Sequence, residues 1–436
     1  MRGMEMRRRR WLWLISVVGM YLTGIALPVV EAQIKLEITG DGGGRTIPIA
    51  VVPLTPLGGG DDSRLSTDFT GVMTRDLDLS GYFQVLDFAQ GDTPGEGVTP
   101  ESINFQYWAD RGALALVKGG FLFEGNSLVL EVRLFDVAQR KQLGGKRYRG
   151  ERKDVRRMAH RFADQILLML TGELGPFDSR IAFVSTRGGR GRAKEIYITD
   201  VSGTQISAVT RDQSLSLSPG WSPSANRIGY CSYRQGGPYP HVFDLQTGVP
   251  TRLISMVGYS GGRWSPDGSR IAASLEQEGN SDIFLLSSEG RKVRQLTEQS
   301  GINISPTWSP DGQSLAFCSN RGGGPQIYVM NVESGNVRRL TYRGDYNTSP
   351  SWSPKGDAIA YTTRSGGFRI MTIPVRGGDP REIASGEDPS WSPDGRYLVF
   401  SVRGRLHLAR KDGQSVKQLT SGGGDDTSPA WSPRLE

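Results

Sequence analysis

From residue 180 onward the chain is a succession of short apolar runs separated by glycine-rich polar punctuation. The runs alternate, and they are rich in β-branched and aromatic residues, which predicts strands. One unit reads Thr307-Trp308-Ser309-Pro310-Asp311-Gly312, then Ser314-Leu315-Ala316-Phe317-Cys318, then Gln326-Ile327-Tyr328-Val329-Met330, then Asn336 to Thr341. Ser-Pro-Asp-Gly predicts a type I turn, because proline presets φ at its second position. Arg321-Gly322-Gly323-Gly324 and Glu333-Ser334-Gly335 supply the other two hairpin turns. Trp-Ser-Pro occurs six times, at Trp221, Trp264, Trp308, Trp352, Trp391 and Trp431, spaced by 43, 44, 44, 39 and 40 residues. A period near 40 fits four strands per repeat.

The second strand of the unit also occurs six times, beginning at Ile181-Ala182-Phe183 and ending at Leu398-Val399-Phe400. The first copy has no Trp-Ser-Pro before it, and Trp431 has no second strand after it. The chain therefore enters mid-unit and leaves with the missing piece. Thr427 to Trp431 completes the Ser179 unit, which predicts a closed six-bladed β-propeller over 177–436 rather than an open stack with capping units. One tryptophan per repeat at a fixed register is what packing between blades requires. Cys231 and Cys318 occupy one slot in units two apart, about 120° around the axis. A disulfide needs Cα atoms within about 7 Å, so both are expected as buried thiols.

Residues 33–172 lack this period. Thr46 to Leu54 reads as a buried strand, Asp68 to Leu79 as a helix, and Phe83 to Leu86 as a strand. Asn104 to Gly112 has a helical pattern, followed by a strand at Leu114 to Val117. Leu128 to Phe135 and Leu143 to Tyr148 pair as strands. Asp154 caps a final helix whose Val155, Met158, Ala159, Phe162, Ile166 and Leu170 share a face, and Gly172 stops it. The mixture predicts an N-terminal α/β domain joined by a short linker, Gly172 to Phe177.

The 58 glycines among 436 residues agree with many turns. The net charge is +7, yet residues 1–32 contain five arginines; beyond them 47 basic and 43 acidic residues remain. No basic run with interleaved aromatics occurs there, which argues against a nucleic-acid partner. Arg7 to Arg10, the apolar stretch Trp11 to Val30 and Val30-Glu31-Ala32 predict a cleaved signal peptide over 1–32, and hence an exported protein. A retained membrane anchor is the rival reading.

Several segments resemble the TolB family. His160 to Ile166, Leu170-Thr171-Gly172-Glu173, Gly175-Pro176-Phe177 and Arg180 to Val184 are similar to that family's domain junction. Asp76-Leu77, Ser80-Gly81-Tyr82-Phe83, Trp108, Gly112 and Val117-Lys118-Gly119 extend the likeness. The resemblance implies a periplasmic component of the Tol-Pal system, which preserves outer-membrane integrity and helps the outer membrane invaginate at division. It implies that the propeller binds the lipoprotein Pal and that the mature N-terminus binds TolA; other Tol-system or outer-membrane proteins are further candidates. Gln33, Ile34, Lys35, Leu36, Glu37 and Ile38 match the TolA-binding arm, within a mobile segment 33–45 hinged at Asp41 to Arg45. A short alternating strand of this kind can add to a partner's sheet edge; a fixed first strand is the plainer reading.

If the Trp-Ser-Pro strand is innermost, the loops before it ring one mouth of the axial tunnel. Tyr259, Asn303, Tyr346 and Asn347 stand out there, since tyrosine suits contact surfaces. By resemblance the Tyr259 loop, with Ser260 and Gly261, falls in the Pal-binding mouth. A glycan- or peptidoglycan-binding propeller is the alternative, with Asp345, Glu387, Asp388, Asp425 and Asp426 as candidate carboxylates. Gly258-Tyr259-Ser260-Gly261-Gly262 has the G-x-S-x-G form of serine hydrolases, but it precedes a strand and no hydrolase domain follows, so at most a peptidase remnant is conceivable. No enzymatic activity, cofactor or metal is expected, and the chain is expected to be a monomer.

Overall fold

The computed structural model describes residues 46–435 apart from 59–61, 89–93, 190, 254–257, 278 and 299–300. The expected signal peptide and the arm at 33–38 lie outside the described residues, as does the hinge at 41–45.

The N-terminal part is a mixed sheet carrying helices. In chain order it comprises β1 (Ile47–Val51), β2 (Thr55–Pro56), α1 (Ser63–Ser80), β3 (Phe83–Leu86), α2 (Phe105–Asp110), β4 (Ala115–Glu124), β5 (Ser127–Asp136), β6 (Lys141–Gly150) and α3 (Val155–Thr171). The sheet order is β3-β1-β4-β5-β6, with β1 parallel to β3 and β4, and β4, β5 and β6 antiparallel in turn. Ala50, Leu116 and Phe135 pack under Phe105 and Trp108 of α2. Helices α1 and α3 pack against each other.

Three expectations need correction here. Helix α1 starts at Ser63, five residues before the expected Asp68, because Asp62 accepts the Leu65 N–H at 3.0 Å and serves as N-cap. Strand β4 runs on to Glu124 through Gly119 and Gly120, where close packing excludes a side chain: a Cβ on Gly119 would lie 2.7 Å from Val132. Asp154 does not cap α3 through its side chain; it accepts instead from Glu151 N at 2.8 Å within the preceding turn.

The remainder is a ring of six four-stranded blades. The innermost strands are Ser216–Trp221 (blade 1), Tyr259–Trp264 (blade 2), Asn303–Trp308 (blade 3), Asn347–Trp352 (blade 4), Glu387–Trp391 (blade 5) and Asp426–Trp431 (blade 6). Blade 6 is assembled from both chain ends: Asp426–Trp431 pairs antiparallel with Arg180–Ser185, placing Trp431 opposite Ile181 as the repeat count required. Ser185 and Arg187 both bond the Asp426 carboxylate, which is fully buried.

The tryptophans sit between blades. Trp221 packs among Ala182, Val184 and Ala430, and its indole N–H donates to Ala430 O at 2.9 Å. Trp308 donates to Arg263 O at 2.9 Å and Trp391 to Ser351 O at 3.1 Å, each reaching the blade before it. Cys231 and Cys318 are buried free thiols. Each bonds the first carbonyl of the next innermost strand, Tyr259 O and Asn347 O respectively.

Candidate functional site: the free mouth and the axial channel

The turn after each innermost strand points to one end of the ring, and the loop before it points to the other. The turn end is occupied by the N-terminal layer. Lys355 Nζ reaches Glu173 at 3.0 Å, Arg396 bonds Thr171 and Leu174 O, and the Tyr397 hydroxyl donates to Ser80 O at 3.0 Å. Among the described residues, the N-terminal layer therefore leaves the mouth ringed by the loops before the innermost strands uncovered.

The residues expected at that mouth divide into two groups. Tyr346 is 37% exposed and lies 6.5 Å, ring to ring, from Phe368, itself 41% exposed. Ser260 is also exposed. Tyr259 is buried in a core cluster with Cys231 and Leu275. Asn303 and Asn347 are fully buried at the seams between blades. Their amides reach back to the preceding blade: Asn303 Nδ2 donates to Asp282 of blade 2 at 3.1 Å, and Asn347 Nδ2 to Gln326 Oε1 of blade 3 at 2.8 Å. An asparagine at the first position of an innermost strand thus closes the loop that leads into it. Gly261 lies on the channel wall. Phe368 was missed in the sequence because a phenylalanine opening a strand reads as core.

The axial channel has a volume of about 130 Å3 and is lined by the Ser-Pro or Asp-Pro pair of five blades and by Ser260 to Arg263 of blade 2. Ser218, Ser305, Ser349, Asp388 and Ser428 all adopt left-handed backbone, with φ between 48 and 57°. A bulge in five of the six innermost strands creates this conformation. Bulges re-aim side chains, and here they face a ring of hydroxyls to the axis. Ser349 and Ser428 donate to the two Asp388 oxygens at 2.7 and 3.0 Å.

The carboxylates that a glycan site would need do not converge. Asp426 is buried against Arg187, while Asp388 lies in the channel. Ser260 stands on the innermost strand of blade 2, not on a strand-to-helix elbow. The three histidines bond elsewhere: His160 to Asp76, His241 to Tyr239 O and His407 to Arg405 O. Among the described residues no group of His, Cys, Asp and Glu could hold a metal ion, and no helix is long and apolar enough to cross a membrane.

A second polar cluster joins the two layers. His160 of α3 bonds Asp76 of α1 at 2.6 Å and lies 3.4 Å from Asp200 at the end of the propeller strand Glu195–Asp200. Burial lowers the imidazole pKa, but the Asp76 and Asp200 carboxylates more than reverse this and raise it to about 10. Arg156 adds hydrogen bonds to Asp200, Ser202 and Thr204. Asp164, one turn on, accepts the backbone N–H groups of Phe177 and Asp178 at 2.7 and 3.0 Å, and burial pushes its carboxyl up to about 7. The junction segment singled out in the sequence is thus the clamp between helix pair and ring.

The profile of the TolB beta propeller domain matches residues 168–435, and that of the TolB amino-terminal domain matches residues 34–143. The chain belongs to the TolB family. A relative named Tol-Pal system protein TolB from Syntrophotalea carbinolica is 40% identical over 47% of this chain and 46% of its own length. One of the same name from Desulfosudis oleivorans is 38% identical over 58% of each chain. The chain thus spans about half the length of these curated TolB relatives. The crystal structure of TolB from Acinetobacter baumannii superposes with a TM-score of 0.78 at 28% identity, covering 89% of this chain and 97% of that one.

Proposed function

We propose that this protein is a periplasmic, non-enzymatic adaptor of the Tol-Pal system. It is exported by a cleaved signal peptide at 1–32, and its mature chain divides into an arm at 33–45, an α/β domain to 172 and the propeller over 177–436. The free propeller mouth docks Pal, the arm docks TolA, and the linkage serves outer-membrane integrity and invagination at division. The observation that carries this reading is the exposed Tyr346–Phe368 pair on the mouth that the N-terminal layer leaves open, in a chain of the TolB family. Aromatic pairs at the centre of an interface commonly supply its anchors. Of the mouth residues, Tyr346 and Ser260 make the contacts, while Tyr259, Gly261, Asn303 and Asn347 hold the loops that present them.

Replacing Tyr346 and Phe368 together with alanine should weaken Pal binding at least about tenfold, about 1.4 kcal/mol or more. Calorimetry with purified Pal reads this directly, and an unchanged affinity would place the contact on another face. Deleting residues 33–38 should abolish capture by TolA while leaving Pal affinity intact. A pull-down in which the deleted protein still retains TolA would reject the arm.

A further inference from the structure

Blade 2 breaks the ring's rule. Where the other five blades place a serine or aspartate followed by proline on the channel wall, it has Gly261-Gly262. Its strand irregularity falls between Tyr259 and Gly261, before that pair. A side chain at Gly262 would collide with the Tyr259 hydroxyl, 2.8 Å from the Cβ position. The missing proline therefore leaves room for the phenol, and the next residue, Arg263, lines the channel.

Position 263 carries Gly220, Thr307, Ser351, Ser390 and Ala430 in the other blades, so Arg263 is the one charged residue of that ring. Its guanidinium lies beside Gly220, where a Cβ would come within 3.1 Å of it. Among the described residues it donates to Gly262 O at 3.0 Å. Among the described residues no carboxylate lies within ion-pair distance of it. A guanidinium has five N–H donors, and those that Gly262 O does not take face the channel. Asp388, in blade 5, is diametrically placed in a six-fold ring and is already satisfied by Ser349 and Ser428. It forms no ion pair with Arg263, although its charge acts on the guanidinium across the channel.

We infer that the axial channel is a binding site for a small monocarboxylate, held by the Arg263 guanidinium and the Ser305 hydroxyl of the neighbouring channel wall. A planar carboxylate matches the guanidinium fork with two parallel hydrogen bonds. On the blades flanking blade 2, Ser305 brings a hydroxyl to the same wall, while Ser218 donates its proton to Ser260 O at 2.9 Å. The channel's volume of about 130 Å3 accommodates an acid of two or three carbons with some water. The Asp388 charge across the axis disfavours dianions such as hydrogen phosphate, which selects for a single negative charge. The exposed Ser260 and Ser305 mark where the ligand enters. The site opens beneath the mouth proposed for Pal and shares Ser260 and Gly261 with it, but its occupancy can be read with no Pal present.

Acetate is the probe, read by saturation transfer from the full-length mature protein to its methyl protons at constant ionic strength. The native protein should give a saturable signal. Arg263→Met should lose it, and Asp388→Asn should raise the affinity by about threefold, because the opposing charge is gone. A signal unchanged in Arg263→Met, or an affinity unchanged or lowered in Asp388→Asn, would overturn the site. If Arg263→Met fails to fold, the direction of the Asp388→Asn effect decides alone. Pal takes no part in these measurements, so their failure would leave the docking proposal standing.

Discussion

A chain that stops after Ser421 is expected to lose its cooperative unfolding transition. The lost segment contains Asp426–Trp431, the innermost strand of blade 6. Without it, Arg180–Ser185 presents an unpaired edge at the axis, and Arg187 loses the carboxylate it grips. Trp221 loses the Ala430 carbonyl that holds blade 1 to blade 6. An opened ring exposes apolar surface on two blades at once, and an exposed strand edge invites association with other chains. Urea unfolding followed by tryptophan fluorescence would show a broad, shallow change or aggregation. A truncated chain that melts as sharply as the full one, at the same midpoint, would refute the closure.

His160→Ala is expected to destabilise the protein by about 3–5 kcal/mol, because it strands the buried Asp76 carboxylate without its partner. The pH dependence provides a second readout. The folded imidazole titrates near 10, above its ordinary 6.5. The folded state therefore holds the extra proton, and the contribution is fully present below pH 6.5. It falls away as the pH rises through about 10. Asp164, raised to about 7 by burial, acts in the same sense at lower pH, favouring the folded state while protonated. Asp200, held below the usual carboxylate range against its burial by His160, Ser202 and Arg156, acts in the opposite sense, its contribution being lost on acidification. The native protein should lose stability between pH 7 and 10, and His160→Ala should lose far less over that interval. Parallel profiles for the two proteins, by thermal melts across this range, would remove His160 from the clamp.

These two effects lie at opposite ends of what the sequence makes legible. Ring closure can be read from the order of repeat parts, because each blade is built from local hairpins whose turn residues announce themselves. The buried thiols follow from the same repeat. The N-terminal helices are legible as elements but not in their limits. The Asp62 cap lies among polar residues that look like loop, and β4 passes through two glycines that only close packing explains. The mouth was legible as a set of loops but not as a surface. Tyr259, Asn303 and Asn347 have the composition of contact residues, yet they are buried where neighbouring blades meet.

The repeat period and the split final unit by themselves determined a six-bladed ring, and one tryptophan per unit determined what would pack between blades. Local chemistry suffices for this, since each turn and strand is specified within a few residues. Only the tertiary structure decided that His160 meets Asp76 and Asp200 across the junction, that Arg263 and Asp388 share a channel, and that Tyr346 and Phe368 remain at the surface. Those pairings join positions that are distant in sequence or on different blades. Which side chain is buried or exposed there depends on the curvature of the closed ring, a property that no single segment carries.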